Sequence, residues 1–327
     1  MAAPTVLILT EEFDLTADCV VKVLNEMAVR VFRYDTSYFP ANSTLSYESG
    51  PDGWATVLID DKYDQRSVDL ENVTSIWYRR PTAFRPDDSL SATHREFVMR
   101  ESAHAFGGVL LGIPALWVNR PDLEARADYK PLQLRMAHQI GLRIPETLIT
   151  NEPGKVRSFY DKFDGSIIYK ALGSGLIEEP GGWPGGLLTT RMISLSDELL
   201  ARVRFAPCIF QKYVDKAFDL RVTIIGSSIT SVRIDTGPVS ATDWRGQIEG
   251  EIGYSGYDLP GDIADKLLTL MNLLGLEYGA VDMAVTNDLE HYFLEVNPSG
   301  QFAWLDDEVP GIQLSERMAK YLSVGRG

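Results

Sequence analysis

Short apolar segments alternate with helical segments over the first 120 residues, and this alternation constrains the fold more than any other feature. The predicted elements are a strand at 5–9, a helix at 16–27, and strands at 29–35 and 74–84, followed by a helix at 91–110 and a strand at 115–121. Parallel strands need long crossover connections, which are usually helices. We therefore predict an α/β domain with an open parallel sheet over residues 1–120.

Beyond residue 120 the pattern changes to hairpins and amphipathic helices. Antiparallel strands are predicted at 208–226 and 228–236, a helix at 262–275, and a second hairpin at 278–298. We predict an α+β C-terminal part, with a central domain at 121–206 and a C-terminal domain at 207–327. Between two apolar strands, residues 173–190 hold six glycines and two prolines. This segment is either a disordered linker or a mobile flap, and its position inside one compact unit favours the flap.

The second hairpin places acidic side chains together. A four-residue turn at 287–290 sets Asp282 opposite Glu295, and Asn297 shares the face of Glu295. Two carboxylates at this spacing repel each other, whereas a divalent cation between them reverses the sign of the interaction. Such a motif on a strand can also be purely structural. We predict a Mg2+ site formed by these three oxygen ligands.

Basic side chains suggest an anion near this site. Lys130 lies in the helix after the first domain, and Lys170 ends a strand just before the glycine-rich segment. Either lysine could simply extend along the surface, but an ammonium group beside backbone N–H groups suits a polyphosphate. A turn centred on Ser227 sets Arg221 opposite Arg233, so that an anion could bridge them. The alternative is a salt bridge from each arginine to a neighbouring aspartate.

In their order along the chain, these elements resemble the ATP-grasp ligases over residues 120–325. The resemblance implies an ATP-grasp fold with an N-terminal pre-ATP-grasp domain, and it implies ATP and Mg2+ as cofactors. The implied site residues are Lys130 and Lys170 for phosphate, Gln211, Lys212, Tyr213 and Val214 for adenine, Asp219 for ribose, Arg221 and Arg233 for catalysis, and Asp282, Glu295 and Asn297 for metal. Gln211 departs from the glutamate that many members have at this position of the adenine-binding segment.

A closer resemblance is to the microviridin-type graspetide ligases. It is carried by IWYRRPTAF at 76–84, by the junction at 118–150, and by FLEVNPSGQFAWL at 293–305. It implies that Asp or Glu side chains of a ribosomal precursor peptide are activated as acyl phosphates. Ser or Thr hydroxyls, or Lys amines, would then close ester or amide rings. The implied partner has a leader and an acidic, Ser/Thr-rich core, and a homodimer is favoured.

The leader could bind a basic groove at YRRP (78–81) and Arg85, although these arginines could equally form internal ion pairs. Two other functions stay open. One is a ligase of the same fold that adds glutamate or another amino acid, and the other is a catalytically silent nucleotide-binding scaffold.

Composition excludes several classes of function. The net charge of −15 argues against a nucleic-acid partner. No apolar run is long enough to span a bilayer, so no membrane association is expected. Cys19 and Cys208 are the only cysteines, which favours a reducing, cytoplasmic location. The four histidines lack metal-ligand spacing.

Overall fold

The structure is a computed structural model. It describes residues 4–51, 53–62, 66–173, 176–177, 185–186, 189–192, 194–236 and 252–325.

The N-terminal part contains the predicted parallel sheet. Its elements are β1 (Thr5–Thr10), α1 (Leu15–Glu26), β2 (Arg30–Tyr34), β3 (Ser43–Gly50), β4 (Gly53–Asp60), β5 (Arg66–Asp69), β6 (Val73–Arg80), α2 (Ala92–Gly112) and β7 (Leu116–Val118). Four parallel strands pair in the order β2-β1-β6-β7, which confirms the prediction. Every residue of β1 is buried, as expected for a strand covered on both faces. A separate antiparallel sheet, β3-β4-β5, was not predicted.

The remaining chain is built mainly from antiparallel sheets and helices. Its elements are α3 (Pro121–Ala127), α4 (Lys130–Gln139), β8 (Thr147–Thr150), α5 (Pro153–Lys162), β9 (Ile167–Lys170), β10 (Leu176–Ile177), β11 (Gly185–Gly186), β12 (Thr190–Arg191), α6 (Asp197–Arg202), β13 (Cys208–Lys212), β14 (Lys216–Ile225), β15 (Ser228–Asp235), β16 (Gly253–Gly256), α7 (Gly261–Leu274), β17 (Tyr278–Thr286), β18 (His291–Asn297), α8 (Ala303–Glu308) and α9 (Leu314–Val324). One sheet has the order β12-β9-β13-β8, and a five-stranded sheet has the order β16-β15-β14-β17-β18.

The chain forms two compact units. The first comprises Met1–Glu124, Leu276–Tyr278 and Ser299–Gly327, and the second comprises Ala125–Gly275 and Gly279–Pro298. Within the first unit, α9 packs against α1 and β6, and the Ser75 hydroxyl donates to the Leu322 carbonyl at 2.6 Å. The predicted division into domains at 1–120, 121–206 and 207–327 stays a prediction.

The first unit is held together partly by a buried ion pair. The Arg79 Nε lies 3.2 Å from the Asp14 carboxylate, and neither side chain is exposed. Asp14 also caps α1 by accepting from the N–H groups of Thr16 and Ala17. Arg79 donates through Nη1 to the carbonyls of Ser299 and Gly300. Because removing one partner would leave an uncompensated buried charge, this pair fixes the local structure tightly.

Candidate active site

The hairpin of β17 and β18 carries the predicted metal ligands. Asp282 lies directly opposite Glu295, as predicted. The loop that connects the two strands is, however, one residue shorter than predicted. Thr286 N–H donates to the Glu290 carbonyl at 3.1 Å, which leaves a three-residue loop, and Leu289 in this loop has a φ of 59°.

A β-bulge restores the pairing of the two carboxylates. With a three-residue loop and a regular ladder, Leu294 would face Asp282 and Glu295 would lie on the other sheet face. Instead, Met283 pairs with Phe293 while Asp282 pairs with Glu295, so that Leu294 is the extra residue. Bulges often redirect side chains beside active sites. Here the bulge brings both carboxylates to one face.

The donor set fits a hard divalent cation. Asn297 pairs with Ala280 two positions beyond Glu295, so its side chain lies on the same face as the carboxylates. Among the described residues, no group of three His, Cys, Asp or Glu side chains could hold a metal ion. At this hairpin the Asn297 amide oxygen could supply a third protein ligand beside the two carboxylates. Two carboxylates and an amide oxygen suit Mg2+, which usually keeps further positions for water and phosphate.

Each carboxylate also contacts a cation of the protein. Arg221 Nη1 lies 2.8 Å from Asp282 Oδ1, and Lys130 Nζ lies 3.2 Å from Glu295 Oε2. The four side chains are at most 21% exposed. Arg221 and Lys130 are thus next to the site predicted to hold metal and phosphate.

A cleft in the second unit collects most of the predicted site residues. Its walls are formed by Pro145, Ile168, Lys170, Thr189, Gln211, Lys212, Tyr213, Val214, Lys216, Asp219, Leu220, Asp282, Met283, Ala284, Leu294 and Glu295. Together with Lys130 and Arg221, which contact two of its acids, this set has five cationic and three acidic side chains. The cleft is therefore locally positive in a chain of net charge −15, which favours a polyanionic ligand.

The predicted adenine-binding segment lies at one wall of this cleft. Gln211 is fully buried in β13, and its Nε2 donates to Thr147 Oγ1 at 2.9 Å. Its Oε1 has no hydrogen-bond partner. A buried acceptor without a partner is costly, and an amino group such as that of adenine would satisfy it. The glutamine in place of glutamate therefore still provides an acceptor.

Lys216 is a cleft residue that the sequence analysis missed. Its Nζ lies 2.9 and 2.6 Å from the two carboxylate oxygens of Asp219, and both side chains are only 8% exposed. Residues three apart on a strand ordinarily point to opposite faces, so strand periodicity gave no signal for this pair. Lys216 is the first residue of β14.

The predicted pairing of Arg221 with Arg233 is wrong. The turn between β14 and β15 contains only Gly226 and Ser227, so Arg221 pairs with Val232 and Arg233 pairs with Leu220. A shift of one residue moves a side chain to the other sheet face. Arg233 instead forms a salt bridge with Asp235 at 2.6 Å, and this hydrogen bond raises the pKa of its guanidinium group. The salt-bridge alternative thus holds for Arg233.

Two further predictions concern segments away from the metal hairpin. Lys170 ends β9 as predicted and also lines the cleft, but most of the predicted flap at 173–190 lies outside the described residues. In the proposed leader groove, Arg79 is only 1% exposed and cannot contact a peptide. The Arg79 side chain thus follows the ion-pair alternative, whereas Arg80 lies 3.7 Å from Glu11 with a side chain that is 39% exposed, so leader binding at Arg80 stays a prediction.

No helix in the described part of the chain is both long and apolar enough to cross a membrane.

Comparisons with known proteins agree with this geometry. Residues 5–124 match the family model "MvdD pre-ATP grasp domain", whereas no curated protein matches the chain. The macrocyclase MdnC from Microcystis aeruginosa, solved with the precursor peptide MdnA, is 29% identical with a TM-score of 0.83, and the match covers 97% of this chain and 98% of MdnC. The chain has the fold of the ATP-grasp ligases over its whole length.

Other solved structures share this fold. An ATP-grasp ligase associated with RiPPs from Chryseobacterium gregarium, solved with ADP and a leader and core peptide, is 28% identical with a TM-score of 0.85. That match covers 98% of this ligase and 96% of the relative. The macrocyclase MdnB from Microcystis aeruginosa is 28% identical with a TM-score of 0.78, and the match covers 98% and 100% of the two chains. The predicted fold class and the predicted family resemblance are thereby confirmed.

Proposed function

We propose that this ligase uses ATP to activate Asp or Glu side chains of a ribosomal precursor peptide as acyl phosphates. Ser or Thr hydroxyls, or Lys amines, of the same peptide then close ester or amide rings. The observation that carries the proposal is the convergence of Lys130, Arg221, Asp282 and Glu295 beside one positive cleft. Relatives solved with a precursor peptide, or with ADP and a leader and core peptide, support the assignment.

ATP would occupy the cleft, with adenine along Gln211, Lys212, Tyr213 and Val214. The unpartnered Gln211 Oε1 would accept from the adenine amino group. Asp219, held by Lys216, would accept from ribose hydroxyls.

The phosphates would extend from this wall towards the metal hairpin. Lys130 and Lys170 would neutralise their charge, because ammonium groups act as point charges for phosphate. Asp282, Glu295 and Asn297 would hold Mg2+, which supplies charge neutralisation of the β- and γ-phosphates when bound.

Arg221 is suited to stabilise the charge that develops during transfer. A substrate carboxylate attacks the γ-phosphorus, the bond to the bridging oxygen breaks, and ADP leaves. The hydroxyl or amine then attacks the acyl carbon, loses its proton, and expels phosphate. The Arg221 guanidinium lies beside Asp282, where it can donate to the transferred phosphoryl group. We retain Arg221 for this role and not Arg233, which lies on the opposite sheet face.

Mass spectrometry of the precursor peptide tests the proposal. Incubation with the ligase, ATP and Mg2+ should lower the peptide mass by about 18 Da per ring, because each condensation releases one water. ADP should form in equal amount. A mass gain would instead identify an amino-acid-adding ligase, and nucleotide binding without ADP formation would identify a silent scaffold. A leader with an acidic, Ser/Thr-rich core and a homodimer stay predictions.

A further inference from the structure

The side-chain amide of Gln133 makes paired hydrogen bonds to the backbone of the metal strand. Its Oε1 accepts from Val296 N–H at 2.9 Å, and its Nε2 donates to the Val296 carbonyl at 2.9 Å. The same Nε2 donates to the Ala127 carbonyl at 2.6 Å. Gln133 is only 2% exposed, so its amide group is satisfied entirely by the protein.

Val296 is the residue between two predicted metal ligands, Glu295 and Asn297. In the described part of the sheet, β18 is an edge strand, next to β17 only. Successive residues of an antiparallel strand direct their N–H and C=O groups to alternate sides. Val296 directs both groups to Gln133, away from β17. The glutamine thus replaces a neighbouring strand at this one position.

Helix α4 carries both Gln133 and Lys130, so it makes a hydrogen-bonding contact and a charged contact with the metal strand. Lys130 and Gln133 lie one turn apart on α4, so they share a helix face. Lys130 contacts the Glu295 carboxylate at 3.2 Å, and Gln133 holds the next peptide group. The helix therefore binds both the side chain and the backbone of the metal strand.

We propose that Gln133 is a positioning residue for the metal site. It fixes the backbone between Glu295 and Asn297, and thereby sets the spacing of their oxygen atoms around a divalent cation. The inference rests on the proposed function, because it takes the site to be a metal site. Partners that orient metal ligands without touching the metal typically contribute about 10- to 100-fold in metal affinity.

Electron paramagnetic resonance measures the Kd for Mn2+ in the presence of ADP. The test compares the unmodified full-length ligase with the full-length Gln133→Met variant. This substitution keeps the length of the side chain and removes all three hydrogen bonds. We expect the Kd for Mn2+ to rise about tenfold or more, while the Kd for ADP without divalent cation changes less than twofold. Exchange of the Val296 amide hydrogen should also become faster.

Gln139→Met is the matched control, because Gln139 lies on the same helix and is exposed. It should leave the Kd for Mn2+ unchanged. If Gln133→Met does not fold, Gln133→Glu serves instead, since it keeps the acceptor for Val296 N–H but places an oxygen against two carbonyls. Unchanged Mn2+ affinity in the folded variant overturns the inference. Failure of the unmodified ligase to bind ADP would instead contradict the proposed function.

Discussion

Asp282 and Glu295 each have a protein cation within salt-bridge distance, Arg221 for the first and Lys130 for the second. A carboxylate in a partly buried cleft needs such compensation. When a metal–nucleotide complex binds, the two carboxylates would hold the metal and Lys130 would contact the phosphates, while Arg221 would become available to the transferred phosphoryl group. The same four side chains can therefore remain compensated with and without nucleotide.

The first residue-scale prediction concerns Glu295. Glu295→Gln removes one charged ligand of the proposed metal site and leaves Lys130 without this carboxylate partner. We expect ADP formation to fall at least about 100-fold with little change in Tm. Coupled ADP release and thermal denaturation provide the two measurements. Glu308→Gln is the control at an exposed acid, and activity in Glu295→Gln equal to that of the control would disprove the metal assignment.

The second prediction compares two arginines of one hairpin. Arg221→Ala should lower kcat about 100-fold, because the transferred phosphoryl group loses its guanidinium donor, while the Kd for ATP changes little. Arg233→Ala should keep kcat within about twofold, since Arg233 lies on the other face and pairs with Asp235. Steady-state kinetics of both variants checks this. An equal loss of kcat in the two variants would contradict the argument that the sheet face of each arginine determines whether it takes part in phosphoryl transfer.

At the scale of elements, the metal hairpin depends on close packing beneath it. A Cβ added to Gly279 at the start of β17 would lie 2.8 Å from both Met271 Cε and Val296 Cγ2. The absence of a side chain at Gly279 therefore allows β17, β18 and α7 to pack together. Crowding at this point would also strain the backbone next to the metal ligands.

Gly279→Ala should accordingly destabilise the ligase by about 1–3 kcal/mol, the range for overpacked cores. Chemical denaturation checks the free energy of unfolding. Gly261→Ala is the matched control, because a Cβ at Gly261 meets nothing within 4 Å. The packing argument does not survive if the two alanine variants are equally stable.

At the scale of the whole molecule, a locally positive cleft lies within a chain of net charge −15. The surface field repels acidic peptides at distances up to about a Debye length, roughly 10 Å at 0.1 M salt. The local field at the cleft favours a polyphosphate instead. Long-range charge would therefore oppose encounter with the predicted acidic precursor core, whose binding would depend on short-range contacts.

The repulsion between the negatively charged chain and an acidic peptide predicts that the association rate increases with salt concentration. Raising the salt concentration from about 20 to 200 mM should increase the association rate of an acidic core peptide a few-fold, because screening weakens the repulsion. Stopped-flow fluorescence measures the rate, and a core peptide with its acids changed to amides should show no increase. A rate that falls with salt would indicate a basic docking surface for the core.

The sequence predicted those features that depend on local pattern. The parallel sheet followed from the alternation of apolar strands and helices, and the lysine before the glycine-rich segment was identified from neighbouring residues. The pairing of Asp282 with Glu295 was also predicted, but only because two differences cancel. The loop is one residue shorter than predicted, and the bulge at Leu294 adds one residue back.

Where no such compensation exists, the same reasoning failed. The turn at Gly226 and Ser227 is one residue shorter than the sequence analysis predicted. Arg233 therefore lies on the sheet face opposite to that of Arg221, whereas the prediction placed both arginines on one face. Turn length is set by a few backbone dihedral angles, for which composition is a weak guide.

The sequence by itself determined much of the secondary-structure pattern, the family resemblance and half of the residues that line the cleft, because periodicity and motif order are properties of neighbouring positions. Only the tertiary structure decided which residues that are distant in the sequence make contact in the site. The contact of Gln133 with Val296 joins residues 163 positions apart, and that of Arg221 with Asp282 joins residues 61 positions apart. Such contacts depend on register and on helix placement, which the whole fold fixes through packing and hydrogen bonding.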